Sequence, residues 1–377
     1  MDFAFSEEQQ LLRRSVRDLL AGNWPLDRVA ELADGEAGWD PASWPRLAEL
    51  GCLGLSLPAE RGGAGGDLVD EAVVFEEAGR ALYPGPLFAT VALAQPALAA
   101  AADPAPLEAT AAGERSATLA VAEPDGPRTI AEAAASACVA KRDGDAWTLT
   151  GTKTLVPDAG IAAGAVVAAQ ASDGVAPGGD GQLALFLVDL AAHGEVVTAR
   201  STMDATRRLG DLALDATPAT LLVAPDQAGQ VLAATRRRAL ALLACEAVGV
   251  ADRAIAFALE YAGQRQQFDR YIGSYQAVSH RLVDAWAAVE LARSLAYWAA
   301  WCVASGDEQA TRACAGAKSA AGEAAVAACE SAIQCMGGIG FTWDHPLHRL
   351  YKRAQWVEAF EGVGADHRRE LAARLLD

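Results

Sequence analysis

Two changes of hydrophobic period divide this chain of 377 residues. Up to Arg115 the apolar residues recur at helical spacing, as in Leu11, Leu12, Val16, Leu19 and Leu20, or Val73, Val74 and Ala78. From Ser116 they fall into short apolar or β-branched segments parted by Gly, Pro and Asp: Ala117–Val121, Ala135–Ala140, Trp147–Thr152, Ala165–Ala169, Leu183–Val188 and Ala219–Val223. From Ala228 the helical period returns and holds to the end. Helices and strands bury their apolar residues on different geometries, so the two switches predict separate layers. The expected class is α+β and multidomain: an N-terminal helical domain (1–115), a middle antiparallel β-barrel or sandwich (116–226) and a C-terminal four-helix bundle (227–377).

Local signals place the elements. Ser6 ahead of Glu7-Glu8-Gln9 reads as an N-cap with acidic residues in the first turn. Helices are expected near Ser43–Leu50, over Leu68–Ala81 and over Leu87–Ala102. Asp143-Gly144-Asp145 marks a hairpin turn before Trp147, and Ser172–Gly181 a flexible loop. Long helices are expected over Arg236–Ala262 and Tyr275–Ser305, then from Asp307 and from Asp366. Arg61–Gly66 is glycine-rich but lacks the strand, helix and Lys-Ser/Thr of a phosphate loop, so it reads as a turn.

The chain is 52% hydrophobic, yet no apolar run reads as long enough to span a bilayer. Met1–Leu20 carries charges throughout, which argues against a signal peptide or anchor and for a cytoplasmic protein. A formal charge of −18 disfavours nucleic acid and anionic lipid as partners. The seven cysteines are scattered and form no C-x-x-C pair, so neither zinc nor structural disulfides are expected, and no metal site is assigned. Buried free thiols are the expectation.

The chemistry concentrates near the C-terminus. An Ala-rich helix from Asp307 runs into Gln334-Cys335-Met336-Gly337-Gly338-Ile339-Gly340, where glycines break the helix and bare backbone N–H groups suit an anion such as a pyrophosphate. Further on, Phe360-Glu361-Gly362 holds a carboxylate between an aromatic and a glycine. On spacing alone, the same stretch also reads as a helix stop and a surface Glu. A second acid, Glu246, lies inside the apolar run Leu242–Val250, where it is either paired and structural or functional. The structural role is favoured, with Arg293 or Arg253 as partner.

Three stretches in this order resemble the acyl-CoA dehydrogenase family: Met1–Leu20, Gln264–His280 (QRQQFDRYIGSYQAVSH) and QCMGGIGFTWDHPLHRLYKRA from Gln334. The resemblance runs the full length and is weakest in the middle third. It implies an FAD-dependent α,β-dehydrogenation of an acyl-CoA or acyl-carrier thioester to the trans-2-enoyl thioester. It further implies that Arg265, with Gln267 and Phe268, crosses a dimer interface to the FAD pyrophosphate of a neighbouring subunit. A guanidinium can bind phosphate oxygens bidentately, although a helix-terminal Arg can also serve its own carbonyls. Gln276, Gln334, Gly337 and Gly338 match further positions that reach the neighbour's FAD. Glu361 matches the catalytic base, which needs a raised pKa in a dry pocket. The position that carries the base in some members is Ala239 here, which strengthens Glu361. An electron-transfer flavoprotein and a homo-oligomer or sister subunit are the implied partners.

The middle third departs from the family pattern. Ala122-Glu123-Pro124 stands where Thr-Glu-Pro is usual, no Gly-Ser-Asp follows, and Gly151-Thr152-Lys153 leads to Thr154-Leu155-Val156-Pro157 in place of Trp-Ile-Thr. Val363-Gly364-Ala365 follows Glu361-Gly362, where a Thr and a Gln are common. The alternatives are therefore a weakly catalytic or non-catalytic partner subunit of a heteromeric dehydrogenase, or a flavin monooxygenase or oxidase on the same fold. Glu361 argues against the last, since oxygen chemistry does not require this base.

Overall fold

The computed structural model describes residues 5–36, 38–144, 146–172 and 181–376. Asp145 of the expected hairpin turn, residues 173–180 of the expected loop and residues 1–4 of the first motif lie outside the described residues. In chain order the elements are helices α1 (Glu7–Asn23), α2 (Leu26–Asp34), α3 (Ser43–Glu49), α4 (Leu68–Ala81), α5 (Gln95–Ala100) and α6 (Ala105–Ala111). Strands β1 (Ala117–Ala120), β2 (Val139–Asp143), β3 (Ala146–Pro157), β4 (Gly164–Ser172), β5 (Gln182–Asp189), β6 (Val197–Arg200) and β7 (Leu209–Val223) follow. The 40-residue helix α7 (Pro225–Gln264) leads to a short hairpin, β8 (Gln266–Gln267) and β9 (Arg270–Tyr271). Helices α8 (Gln276–Ala304), α9 (Ala310–Met336), α10 (Leu347–Ala359) and α11 (Gly364–Leu376) complete the chain.

The chain forms two compact units. The first comprises Met1–Trp39, Asp67–Pro84 and Leu240–Asp377. Its first helix starts with a capping box: Gln9 N donates to Ser6 Oγ (3.1 Å), and Ser6 N donates to Gln9 Oε1 (3.2 Å). Its centre is α9, whose buried side is a stripe of Ala313, Ala317, Ala321, Ala324, Ala328 and Ala332. Helices α8, α10 and α11 all pack on α9, and small side chains let the axes draw close. By length and composition Ala310–Phe341 could cross a membrane, contrary to the expectation from sequence. In this unit, though, the alanines are spent on helix packing, and the same helix buries Lys318 completely. Helices α4 and α7 also meet backbone to backbone. A methyl group at Gly79 would collide with the Glu246 carbonyl, and one at Gly249 with that of Glu76.

Charges that enter this interior are paired. Glu76 accepts from Arg13 Nη2 (3.0 Å), Tyr297 Oη (2.6 Å) and Arg293. Glu77 takes both donors of Arg17 (2.8 and 2.7 Å). Glu246 is buried and paired, as the structural reading expects, but with Arg353 of α10, whose Nη1 donates to Glu246 Oε1 at 2.6 Å. Of the two expected partners, Arg293 is taken by Glu76 and Arg253 lies over the Phe257 ring. Arg353 lies 107 residues further along the chain, on a helix that sequence analysis did not identify.

The second unit comprises Asp40–Gly66 and Gly85–Ala239. Its pairings β4–β5–β7–β3–β2–β4 return on themselves, so the sheet closes into a barrel. Most pairs are antiparallel, as expected, while β1–β4 and β2–β4 are parallel. Leu149, Val156, Val167, Phe186 and Leu212 fill the interior. Strand β7 is far longer than the expected Ala219–Val223, because Gly210, Asp211 and Pro218 disguise a strand that carries a register shift opposite Leu149 and Gly151. Residues 130–135 form a 3₁₀ turn, so the strand expected over Ala135–Ala140 begins only at Val139. Nor is Leu87–Ala102 one α-helix. Phe88–Ala94 winds as a π-helix ahead of Pro96, which has no N–H to give the ladder. Arg238 Nε donates to the Val91 carbonyl in this stretch (3.0 Å).

Inside the barrel Glu123 is 4% exposed. It accepts from Lys153 Nζ (2.6 Å), Ser136 Oγ (2.6 Å) and Ala137 N (2.8 Å). Burial alone would push its carboxyl up, but donation by Lys153 and Ser136 and the Lys153 charge hold it below its ordinary range. A group whose folded pKa is depressed stabilises fully above its unfolded value, about 4.3, and loses that contribution as pH falls through the folded value.

Two predictions follow from these pairs. Glu246→Ala or Arg353→Ala strands a buried charge and is expected to lower stability by about 3–5 kcal/mol in denaturant titration, whereas a double Leu replacement costs less than either. Thermal midpoints recorded on acidification are expected to drop below about pH 4.3 in the wild type. Glu123→Gln should flatten that drop and lower the midpoint at neutral pH; an unchanged acid limb would show that this carboxylate carries no linked stability.

Candidate active site

After Phe341 the chain becomes helical again, as α10 over Leu347–Ala359. Its buried face is Leu347, Leu350, Ala354 and Val357, and at its end Trp356 stacks on Phe360 with ring centroids 4.9 Å apart. The chain then turns sharply into α11. Glu361 sits in that turn at φ = 60° and Gly362 at φ = 100°. A left-handed conformation costs a glutamate of order 1 kcal/mol and persists only where surroundings enforce it. Here they do. Lys318 Nζ donates to the carbonyls of Glu358 (3.0 Å) and Gly362 (3.2 Å). Ser319 Oγ donates to the Gly364 carbonyl (3.2 Å), Gly364 N to Glu358 Oε1 (2.8 Å) and Val363 N to Asp366 Oδ2 (3.1 Å). Held this way, Glu361 is 8% exposed. It is therefore no surface carboxylate.

Arg265 and its neighbours occupy the hairpin after α7. Phe268 (φ = 54°) and Asp269 (φ = 65°) are the two central residues, and both take the positive φ that a two-residue type I′ turn demands. Phe268 is 88% exposed at the apex, and Arg265 and Gln267 are exposed too. Tyr275 Oη braces the hairpin by donating to the Gln267 carbonyl (2.9 Å). An aromatic in a strained turn, with its ring in solvent, is costly twice over within one chain.

Gln276 opens α8 beside a groove of about 620 Å³ lined by Gln276, His280 and Arg281 of α8 and by Ala327 and Ser331 of α9. Gln334 lies one turn beyond Ser331 and is exposed. The helix breaks there as expected: Gly337 has φ = 64°, Gly337–Phe341 forms a 3₁₀ turn, and the space beside Gly337 and Gly338 is open. The structure thus groups Arg265, Gln267 and Phe268 on one hairpin and Gln276 and Gln334 on one pair of helices. Glu361 is apart from these. Its turn is held at Lys318, and Gln334 lies 16 residues further along α9, roughly 24 Å at the helical rise.

In the second unit the departures from the family pattern take physical form. The register of β3 against β7 slips between Lys153 and Val156, and Leu155 at the slip has φ = 53° and is 41% exposed. Asp211 holds this bulge, accepting from Thr154 Oγ1 (2.7 Å), Leu155 N (3.2 Å) and Arg200 Nε (2.6 Å).

The residues that sequence reasoning missed are Lys318, Ser319 and Glu358, which fix the Glu361 turn. One signal was available. Lys318 stands within Ala-Gly-Ala-Lys-Ser-Ala-Ala-Gly, a run otherwise made of the smallest residues, where a long cation is out of place unless bonded.

Comparison with known proteins is consistent along the whole chain. Family models match in order: acyl-CoA dehydrogenase N-terminal domain over residues 6–105, middle domain over 118–217 and C-terminal domain over 233–376. The acyl-CoA dehydrogenase IpdE2 of Mycobacterium tuberculosis is 34% identical over 92% of this chain and 91% of its own length. Among solved structures, the Tcur3481–Tcur3483 steroid ACAD is 31% identical, with a TM-score of 0.84 over 98% of each chain. The ChsE4–ChsE5 complex from Mycobacterium tuberculosis is 28% identical, with a TM-score of 0.87 over 100% of this chain and 99% of that one. The chain belongs to the acyl-CoA dehydrogenase family. It is an FAD-dependent oxidoreductase that dehydrogenates acyl-CoA thioesters, and the alternative of a weakly catalytic or non-catalytic partner subunit is not needed to account for it.

The donor set fits FAD. A guanidinium, three carboxamides and open glycine backbone suit the pyrophosphate and ribose, and an exposed ring at a fixed turn suits a flat cofactor. Ala122 stands where the family pattern has a Thr and Val156 where the Thr of Trp-Ile-Thr would fall, while the one hydroxyl of Thr154–Pro157, that of Thr154, donates to Asp211.

Proposed function

We propose that Glu361 is the base of this dehydrogenase. The observation that carries the reading is its burial in an enforced left-handed turn, since a carboxylate meant for water needs no such restraint. The acyl-CoA thioester binds with its α-carbon facing Glu361. Glu361 takes the α-proton as the carbon–hydrogen bond opens, and the dry surroundings of its turn keep competing water from that proton. FAD, when bound, supplies the acceptor for the β-hydrogen, which leaves as hydride. The trans-2-enoyl thioester then departs, and the proton on Glu361 returns to solvent.

The same reading assigns Arg265, Gln267, Phe268, Gln276, Gln334, Gly337 and Gly338 to the FAD of a neighbouring subunit. The separation of this group from Glu361 along α9 and the solvent exposure of Phe268 support it. The neighbour is a second copy of this chain or a sister chain. The ChsE4–ChsE5 relative is a complex of two named chains, and the flavin-side losses at Ala122 and Thr154–Pro157 favour a sister that contributes what is missing here. An electron-transfer flavoprotein is the proposed electron acceptor, the cytoplasm the proposed location, and short-chain or steroid-derived acyl groups the proposed substrates.

The base assignment is tested by Glu361→Gln, which keeps shape and removes the proton acceptor. Flavin bleaching by butyryl-CoA or a steroid-side-chain CoA thioester should slow at least ~100-fold while the thioester still binds. Glu246→Gln should bleach at nearly the wild-type rate. The reverse pattern would move the base to Glu246. The cofactor assignment is tested by Arg265→Ala, which should weaken FAD binding by about 2 kcal/mol. Flavin retained unchanged through gel filtration, or a flavin-loaded monomer in sedimentation, would remove Arg265 from the cofactor site.

A further inference from the structure

Lys318 is fully buried, comes from the middle of α9, and spends two of its donors on backbone carbonyls of a turn 40 and 44 residues away in sequence. Those carbonyls, Glu358 and Gly362, bracket Glu361. Around them the turn is locked from the same stretch of α9: Ser319 donates to the Gly364 carbonyl, and Arg368 bonds both Ser319 Oγ (3.1 Å) and Glu323. The Glu358 side chain lies across Gly322, where even a methyl group would collide with Oε2, and its other oxygen caps Gly364 N. A lysine is poorly chosen to fill space there. Its stem is flexible, its head is expensive to bury, and an alanine stripe surrounds it. What the head does accomplish is to hold two carbonyls of one turn at one point, and the segment between them includes Glu361 in its left-handed conformation.

We infer that Lys318 is a positioning residue for the reaction. It fixes the turn 358–362 and thereby aims the Glu361 carboxylate at the α-carbon of the thioester. The inference rests on the reading of Glu361 as base. Lys318 touches neither substrate nor cofactor in this account and acts through the turn alone.

The experiment compares Lys318→Met, Lys318→Gln, Glu361→Gln and the Lys318→Met/Glu361→Gln double variant in the flavin-loaded enzyme. Butyryl-CoA is the probe, or octanoyl-CoA if that reduces the wild-type flavin faster. One readout is the rate of flavin reduction at saturating thioester. Another is exchange of the α-hydrogen for deuterium in D₂O, which reports proton abstraction without hydride transfer. A third is thioester affinity. Lys318→Met should keep FAD and bind the thioester within about 3-fold of wild type, with reduction and α-exchange both slowed by ~10–100-fold, as a misaimed base requires. Lys318→Gln, which keeps donors on a shorter stem, should fall between. In the double variant, Lys318→Met should add less than about 2-fold, because the residue through which it acts is already disabled. If Glu361→Gln exchanges and reduces like wild type, the base reading fails. If Glu361→Gln is slow but Lys318→Met is as fast as wild type, or the two losses multiply, the base reading stands and the positioning role falls. Loss of fold or FAD in both Lys318 variants would make Lys318 a folding residue and likewise overturn the inference.

Discussion

The first unit depends on how closely its helices approach α9. Alanine at Ala313, Ala317, Ala321, Ala324, Ala328 and Ala332 brings neighbouring backbones within reach of one another, and the glycines at Gly79 and Gly249 do the same for α4 and α7. Such an interior gains its contacts from backbone and methyl groups and has almost no spare volume. A long polar side chain survives there only if its head finds partners fixed in place. Among those that enter, Glu76, Glu246, Lys318 and Arg353 each tie together segments far apart in sequence. Close packing thus does two things. It supplies the scaffold, and it makes each buried charge a geometric constraint on whatever it bonds.

That division explains what was legible in the sequence. Periodicity is a local property, so the helix–sheet–helix order and the long helices could be read directly. The Ser6 capping box was legible for the same reason. Elements whose local signal is mixed were lost. Strand β7 contains Gly210, Asp211 and Pro218, each of which argues for a turn, and only its pairing with β3, β5 and β6 holds it extended. Helix α10 carries Arg349, Lys352 and Arg353 and reads as a polar segment, although Arg353 is wholly buried against Glu246. Glu361 was legible only through likeness to a family. Its restraint was not, because the partners of Lys318 are carbonyl oxygens, which every residue has and no sequence displays.

The second unit separates two tasks that one strand register could have combined. Glu123, Ser136 and Lys153 form a bonded group in the barrel, and every member is buried. A short distance along β3 the register slips, and Asp211 holds the bulge at Thr154 and Leu155 through a hydroxyl and a backbone N–H. This group is bonded within the chain, while Ala122 and Thr154–Pro157 depart from the family pattern.

Two strained turns of the first unit can be weighed by the same argument. Each holds non-glycine residues at positive φ: Phe268 and Asp269 in the hairpin, Glu361 between α10 and α11. The Glu361 turn is over-determined from within the chain, by Lys318, Ser319, Glu358 and Asp366. The hairpin is braced chiefly by its own two strands and by Tyr275, and it leaves the Phe268 ring in solvent. A conformation enforced internally is ready for chemistry before any partner arrives. One that exposes an apolar ring at a strained apex recovers its cost only against a second surface. The asymmetry between the turns supports the proposal that the chain supplies its own base and lends its hairpin to a neighbour.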